Sequence, residues 1–117
     1  MSQKEYFVYI LHCSNNSLYT GFTTDLVKRY KHHLKGTGGC KYTKSFKPHS
    51  LVQSWLIMGT KAQAMQAERY IKKLTRKEKD ILIIAPERLS LYFPLERVTD
   101  EFLDFLNSPQ LFTRKKT

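Results

Sequence analysis

The sequence predicts a single α/β domain: a small, mainly antiparallel three-stranded sheet flanked by helices, followed by a helical extension at the C-terminus. Three observations carry this. The chain has 117 residues, 41% of them hydrophobic and 13% aromatic, enough for one compact core and too few for a second large domain. Two apolar runs, Tyr6 to His12 and Leu18 to Thr23, are separated by the turn-forming Ser14-Asn15-Asn16, which reads as a hairpin. Beyond it, apolar residues recur at helical spacing in segments that open on capping signals, with one more strand, Leu51 to Met58, between them.

Tyr6 to His12 is apolar on both alternating faces, as a buried strand should be. Its register with the next strand follows from the turn. Opposed residues point the same way, so a three-residue connection sets Tyr9 across from Gly21 and Tyr19 across from Leu11. Both tyrosines then share a face, and Gly21 leaves that face open. Thr23 or Thr24 can cap the first helix, with Asp25 in its first turn. Leu26, Tyr30 and Leu34 form its apolar stripe, and Gly36 stops it. Residues 36–47 read as a basic, Gly-bearing loop closed by Pro48. Thr60 and Gln63 form a capping box for a helix that buries Ala64, Ala67, Ile71 and Leu74. Thr75 and Glu78 form a second box for a short helix that Pro86 ends. Leu89 to Phe93 reads as extended. Val98, Phe102, Phe105 and Leu106 make a last amphipathic helix, and Arg114-Lys115-Lys116 a basic tail. Residues 1–85 are thus expected to form the core domain and 86–117 a C-terminal extension.

The formal net charge is +10, from 20 Lys+Arg against 10 Asp+Glu. All of the excess falls in the first 84 residues, with 15 basic and 5 acidic, while the last 33 balance at 5 and 5. Charge of this size argues for a polyanionic partner, most simply nucleic acid. No apolar stretch approaches the ~20 residues a membrane span needs, and the N-terminus lacks a secretory pattern, so a cytoplasmic protein with no membrane partner is expected. Cys13 and Cys40 are too few for a disulfide framework, and with His12 and His49 they match no zinc-binding spacing.

Several polar residues stand where packing alone would not put them. Arg29 and His33 are four apart on the first helix, so they share a face that borders the apolar stripe and overlooks the rim of the sheet. Glu68 lies next to Ala67 and Ile71, where a carboxylate needs a partner or a cation; the plain alternative is a pair with Lys72 at i+4. Tyr9 and Tyr19, taken singly, are also ordinary half-buried strand aromatics. Lys35, Lys41, Lys44 and Lys47, interleaved with Tyr42 and Phe46, suit a surface that tracks phosphates and stacks on unpaired bases. Lys72, Lys73, Arg76, Lys77 and Lys79 form a second basic cluster at a joint between helices, a phosphate grip or a solvated face. Nothing resembles a base-reading helix, so shape or strand state is the expected basis of recognition.

Taken in order, these residues resemble a family. Phe7-Val8-Tyr9 and, ten residues later, Tyr19-Thr20-Gly21 are similar to the paired triplets of the GIY-YIG nucleases. Thr23-Thr24-Asp25-Leu26, Arg29, His33, Lys41-Tyr42-Thr43, Pro48 and Glu68 with Ile71 to Glu78 extend the match. The chain looks like the small stand-alone bacterial members, relatives of the catalytic domain of structure-specific repair endonucleases, over about residues 5–84. The resemblance implies phosphodiester hydrolysis with one divalent ion, Mg²⁺ or Mn²⁺, and nucleic acid as substrate, DNA ahead of RNA. It implies Glu68 as metal ligand and Arg29 as phosphate clamp. Tyr9 would be the general base or would position the water, and Tyr19 would hydrogen-bond the phosphate or the water. His33 would orient Tyr9, touch the phosphate or accept the proton. Phe7 and Thr20 depart from the triplets, and Leu34 and Lys44 from the residues often found at their positions; these changes bear on substrate contacts more than on chemistry. A catalytically weak binding module of the same fold is the alternative, and a protein-interaction domain using Phe102 and Phe105 a third. A monomer or weak dimer is the expected assembly.

Overall fold

The computed structural model describes residues 5–39 and 41–97. β1 (Tyr6–Cys13) and β2 (Leu18–Thr23) form the hairpin, with Tyr9 opposite Gly21 and Leu11 opposite Tyr19. The turn is the three-residue one. The Cys13 N–H donates to Ser17 O at 2.9 Å and the Asn16 N–H to Cys13 O at 2.8 Å. Asn16 takes φ 65°, a left-handed conformation that asparagine tolerates better than most residues. The odd register therefore rests on a turn whose last residue suits it.

α1 (Leu26–Lys35) follows, but neither threonine caps it. Asp25 is the cap, its carboxylate accepting from the Lys28 N–H at 3.1 Å, while Thr23 Oγ1 accepts from the Asp25 N–H at 3.1 Å. Threonine thus braces the capping residue one step outside the helix. Gly36 ends α1 at φ 70°. The basic loop is not all loop: Lys41–Ser45 forms a short helix, α2. β3 (Pro48–Ile57) begins three residues earlier than the apolar run suggests, because Pro48 pairs with Cys13 past two irregularities in the β1 ladder. α3 (Lys61–Lys73) and α4 (Arg76–Ile84) both open on complete capping boxes, at Thr60/Gln63 and Thr75/Glu78.

The segment after Pro86 departs most from expectation. Pro86–Leu91 is a 3₁₀ helix, not an extended run. Leu95–Arg97 then forms β4 and pairs antiparallel with β3, Ile57 opposite Leu95 and Trp55 opposite Arg97. The antiparallel sheet gains a fourth, three-residue strand and has the order β2-β1-β3-β4. The Trp55 indole N–H donates to Pro86 O at 2.9 Å, so residues beyond 85 are bonded into the core. The expected helix at Val98 to Leu106, the basic tail and Cys40 lie outside the described residues.

Period-two alternation divides the sheet into two buried faces. One carries Val8, Ile10, Trp55 and Ile57 against Ala64, Ala67 and Ile71 of α3, with Leu82 and Leu89. The other carries Tyr9, Leu11, Cys13 and Leu51 against Leu26 and Tyr30 of α1. β2 is an edge strand, so side chains from either face meet at its rim. Ile71 is fully buried, so Ile71→Ala should cost about 2–5 kcal/mol in urea unfolding; Thr60→Ala, which removes only a cap, should cost about 1 kcal/mol.

Candidate active site

On the α1 face, Tyr9 is 1% exposed and its phenolic oxygen lies 2.7 Å from His33 Nε2. The other ring nitrogen, Nδ1, lies 2.8 Å from Thr43 Oγ1 of α2. His33 is fully buried, deeper than a residue bordering the stripe should be, because α2 folds over it. Burial, then the Arg29 guanidinium, then His32 lower its pKa from the ordinary 6.5 to about 4. The ring is therefore neutral near pH 7. A neutral imidazole has one N–H, so one nitrogen donates and the other accepts, and each neighbouring hydroxyl can take the complementary role.

Aromatic packing extends this chain outward. The Tyr19 ring centroid lies 6.4 Å from that of Tyr9 and 5.2 Å from His33. Tyr42 stacks on Tyr19 at 5.8 Å with planes 20° apart, and Phe46 follows at 5.1 Å. Tyr42 is pinned at its tip by Asn15 Nδ2, which donates at 3.1 Å, and by the Ser17 hydroxyl. Tyr42 and Phe46 are each 37% exposed, so the stack runs from a buried phenol to solvent. A Cβ at Gly21 would come within 2.6 Å of Tyr9 Oη and 3.2 Å of Tyr19 Cε2. Only glycine lets the Tyr9 hydroxyl lie over the edge strand.

Arg29, one helical turn before His33, donates from Nη1 to Gly38 O at 3.0 Å. At i, i+4 it shares a face of α1 with His33, the ring that Tyr9 and Tyr19 contact. Glu68 comes from the other side of the sheet, on α3. Its carboxylate pairs with Lys72 Nζ at 3.4 Å, and its side chain is 19% exposed. The plain i+4 pair is therefore real. Lys61, at the start of α3, lines a pocket with Thr23, Thr24 and Arg29, while Arg76, just past its end, donates to Asn16 O at 2.6 Å. α3 thus runs antiparallel to β2, and Glu68, midway, lies alongside the middle of that strand. Tyr70, on the opposite flank, packs on Tyr92 and Phe93 toward the β4 side, so the Glu68 flank turns to the β2 edge.

The expected nucleic-acid contacts fall into two regions. Lys35, Lys41, Lys44 and Lys47 are exposed around Tyr42 and Phe46, beside the Tyr19 ring. Lys72, Lys73, Arg76 and Lys77 lie on α3 and α4 across the sheet. Arg76 there is committed to structure, bonding Asn16 O and Asp80. Sequence reasoning missed Thr43, Asn15 and Ser17. Lys41-Tyr42-Thr43 was a visible signal, but a threonine in a presumed loop gives no hint that it faces a buried histidine.

Residues 5–80 match the family described as the GIY-YIG catalytic domain. The UPF0213 protein YazA of Bacillus subtilis is 47% identical over 71% of this chain and 82% of its own length. A UPF0213 protein of Bacillus velezensis is 43% identical over 87% of this chain and its whole length. The solution NMR structure of the UPF0213 protein BH0048 from Bacillus halodurans shares 39% identity over 69% of this chain and 84% of that one, with a TM-score of 0.44.

Two outcomes follow from the buried histidine and the glycine. The His33 pKa is depressed on folding, so the native protein binds fewer protons than the unfolded chain between about pH 4 and 6.5. Stability is full above pH 6.5 and falls as pH drops toward 4, by on the order of 2–3 kcal/mol; urea curves at pH 7 and 4.5 should show this, and His33→Gln should flatten the difference. Gly21→Ala should displace the Tyr9 ring at a cost of about 1–3 kcal/mol, and the shift of the Tyr9 ring resonances in NMR should report the lost His33 contact.

Proposed function

Because this chain belongs to the GIY-YIG catalytic domain family, a family of nucleases, we propose that it hydrolyses phosphodiester bonds of nucleic acid at the β2 edge. What supports the proposal is the contact of Tyr9, Tyr19 and His33 on one face of the hairpin, with Arg29 one helical turn from His33 and Glu68 on α3, the helix that covers the other face.

Each residue has a role its chemistry suits. Arg29 holds the phosphate, its planar fork matching two oxygens at once. Tyr9 orients the attacking water, and Tyr19 hydrogen-bonds the phosphate. An imidazole with a pKa of about 4 is a far weaker base than a phenolate, whose parent pKa is ~10, so His33 positions Tyr9 and does not drain its proton. Thr43 completes the bond at the second ring nitrogen and fixes the ring's rotation. Glu68 is the expected ligand for a divalent ion. Among the described residues no three His, Cys, Asp or Glu side chains converge, and a lone carboxylate at a solvent edge fits a hard ion that keeps most of its waters. Mg²⁺ or Mn²⁺ bound there would supply charge stabilisation for the departing oxygen. The lysines around Tyr42 and Phe46 track the backbone, and those stacked rings favour a substrate with unpaired bases, DNA in our reading.

The Lys72–Glu68 pair favours a second reading, a binding module whose carboxylate is structurally engaged. Branched, single-stranded and duplex DNA, and RNA, incubated with Mg²⁺ or Mn²⁺ separate the two. Wild type should cut at least one, and Glu68→Ala and Arg29→Ala should each lose ~10²-fold or more. A clean preparation that cuts nothing, or mutants that cut as well as wild type, sinks the enzyme reading.

A further inference from the structure

A pocket of about 380 Å³ opens at the corner where the end of β2 meets the starts of α1 and α3. Tyr6 and Phe22 form its apolar wall, Thr23 and Thr24 its rim, and Arg29 and Lys61 its charges. Among the described residues no carboxylate lines it, and the nearby Asp25 accepts from the Lys28 N–H through Oδ1. Lys61 is exposed, and among the described residues it makes no ion pair. The Thr23 hydroxyl is engaged with the Asp25 backbone, which leaves two cations, the Thr24 hydroxyl and an apolar wall, with nothing acidic among the described lining residues, a set that suits a phosphate attached to a sugar. Arg29 belongs to this pocket and to the Tyr9–His33 group, so the two sites share a wall.

We propose that this pocket is a second phosphate subsite, holding the backbone phosphate next to the one cut, with Lys61 as its main contact. The identity of the polyanion rests on the nuclease reading; the subsite itself rests on the pocket. Lys61 would hold the strand by charge and leave the reacting atoms to the residues around Tyr9. It also explains why an exposed lysine opens α3, where a cation opposes the positive helix end and an acid would be favoured.

The test uses the full chain and a short single-stranded DNA oligonucleotide. Binding is followed by fluorescence anisotropy in EDTA, so nothing is cut, across a salt series. Lys61→Ala should weaken binding about three- to tenfold at low salt and reduce the slope of log K against log salt by about 0.7, the release of roughly one counterion from a single strand. Lys61→Arg should restore both. With Mg²⁺ or Mn²⁺, Lys61→Ala should raise KM and leave kcat within about twofold. Thr60 makes the cap of α3, so the melting temperature should not move. A wild type that binds and cuts while Lys61→Ala keeps the same slope and KM overturns the subsite and leaves the nuclease reading standing. A wild type that cuts nothing but shows the Lys61-dependent slope keeps the subsite and removes the nuclease reading. A wild type that does not bind DNA overturns both.

Discussion

His33 sits between two hydroxyls that belong to different parts of the chain, one on the central strand and one on a five-residue helix. A charged imidazole could not be buried there without a counter-ion, and a non-polar side chain would take one hydrogen-bond partner from each hydroxyl. Neutrality is therefore the condition under which α1, α2 and β1 close on one another. It also sets what Tyr9 can do, since a histidine that stays uncharged can hold a phenol in place without competing for its proton. Burial imposes this condition and Arg29 adds to it from one helical turn away, while the same guanidinium remains within reach of the β2 edge.

How much of this was legible in the sequence depends on how local each determinant is. The hairpin register followed from Ser14-Asn15-Asn16 alone, because strand alternation and a three-residue turn leave one solution. Both capping boxes were readable for the same reason, each being complete within four residues. The cap of α1 was misassigned because Thr23, Thr24 and Asp25 are all competent, and only tertiary placement decides among them. α2 was hidden by Gly38 and Gly39 just before it and by its own brevity; it forms because Thr43 and Tyr42 find partners on α1 and the hairpin, contacts 10 and 25 residues away. β4 is three residues long and exists through pairing with β3, which no local pattern announces. The depth of His33 was likewise a property of the lid above it, not of its own helix.

The relation between the two faces of the sheet is the geometric heart of the candidate site. Tyr9 and Glu68 are separated by the sheet itself, so in the proposed reaction they would reach one phosphate only around its rim, and an edge strand provides one. A central strand in place of β2 would bury that route. This gives the +10 charge a narrower meaning. Around Tyr42 it leads toward the rim from the α1 side, and on α3 it does so from the other, while Arg76 is withdrawn into structure by Asn16 and Asp80.

The hydrogen bond between Trp55 and Pro86 has an optical consequence. Trp55 is the only tryptophan in the chain, it is fully buried, and its indole N–H is bonded to the first residue of the 3₁₀ helix. The protein thus carries a single indole, which can be excited selectively over its seven tyrosines, at the seam where residues 86–97 meet the sheet, on the face away from His33. Detachment of that seam would wet the indole and red-shift its emission while leaving the Tyr9 environment dark to the measurement. One spectrum can in this way distinguish loosening of the α3–α4 side from loosening of the α1 side, with no label added.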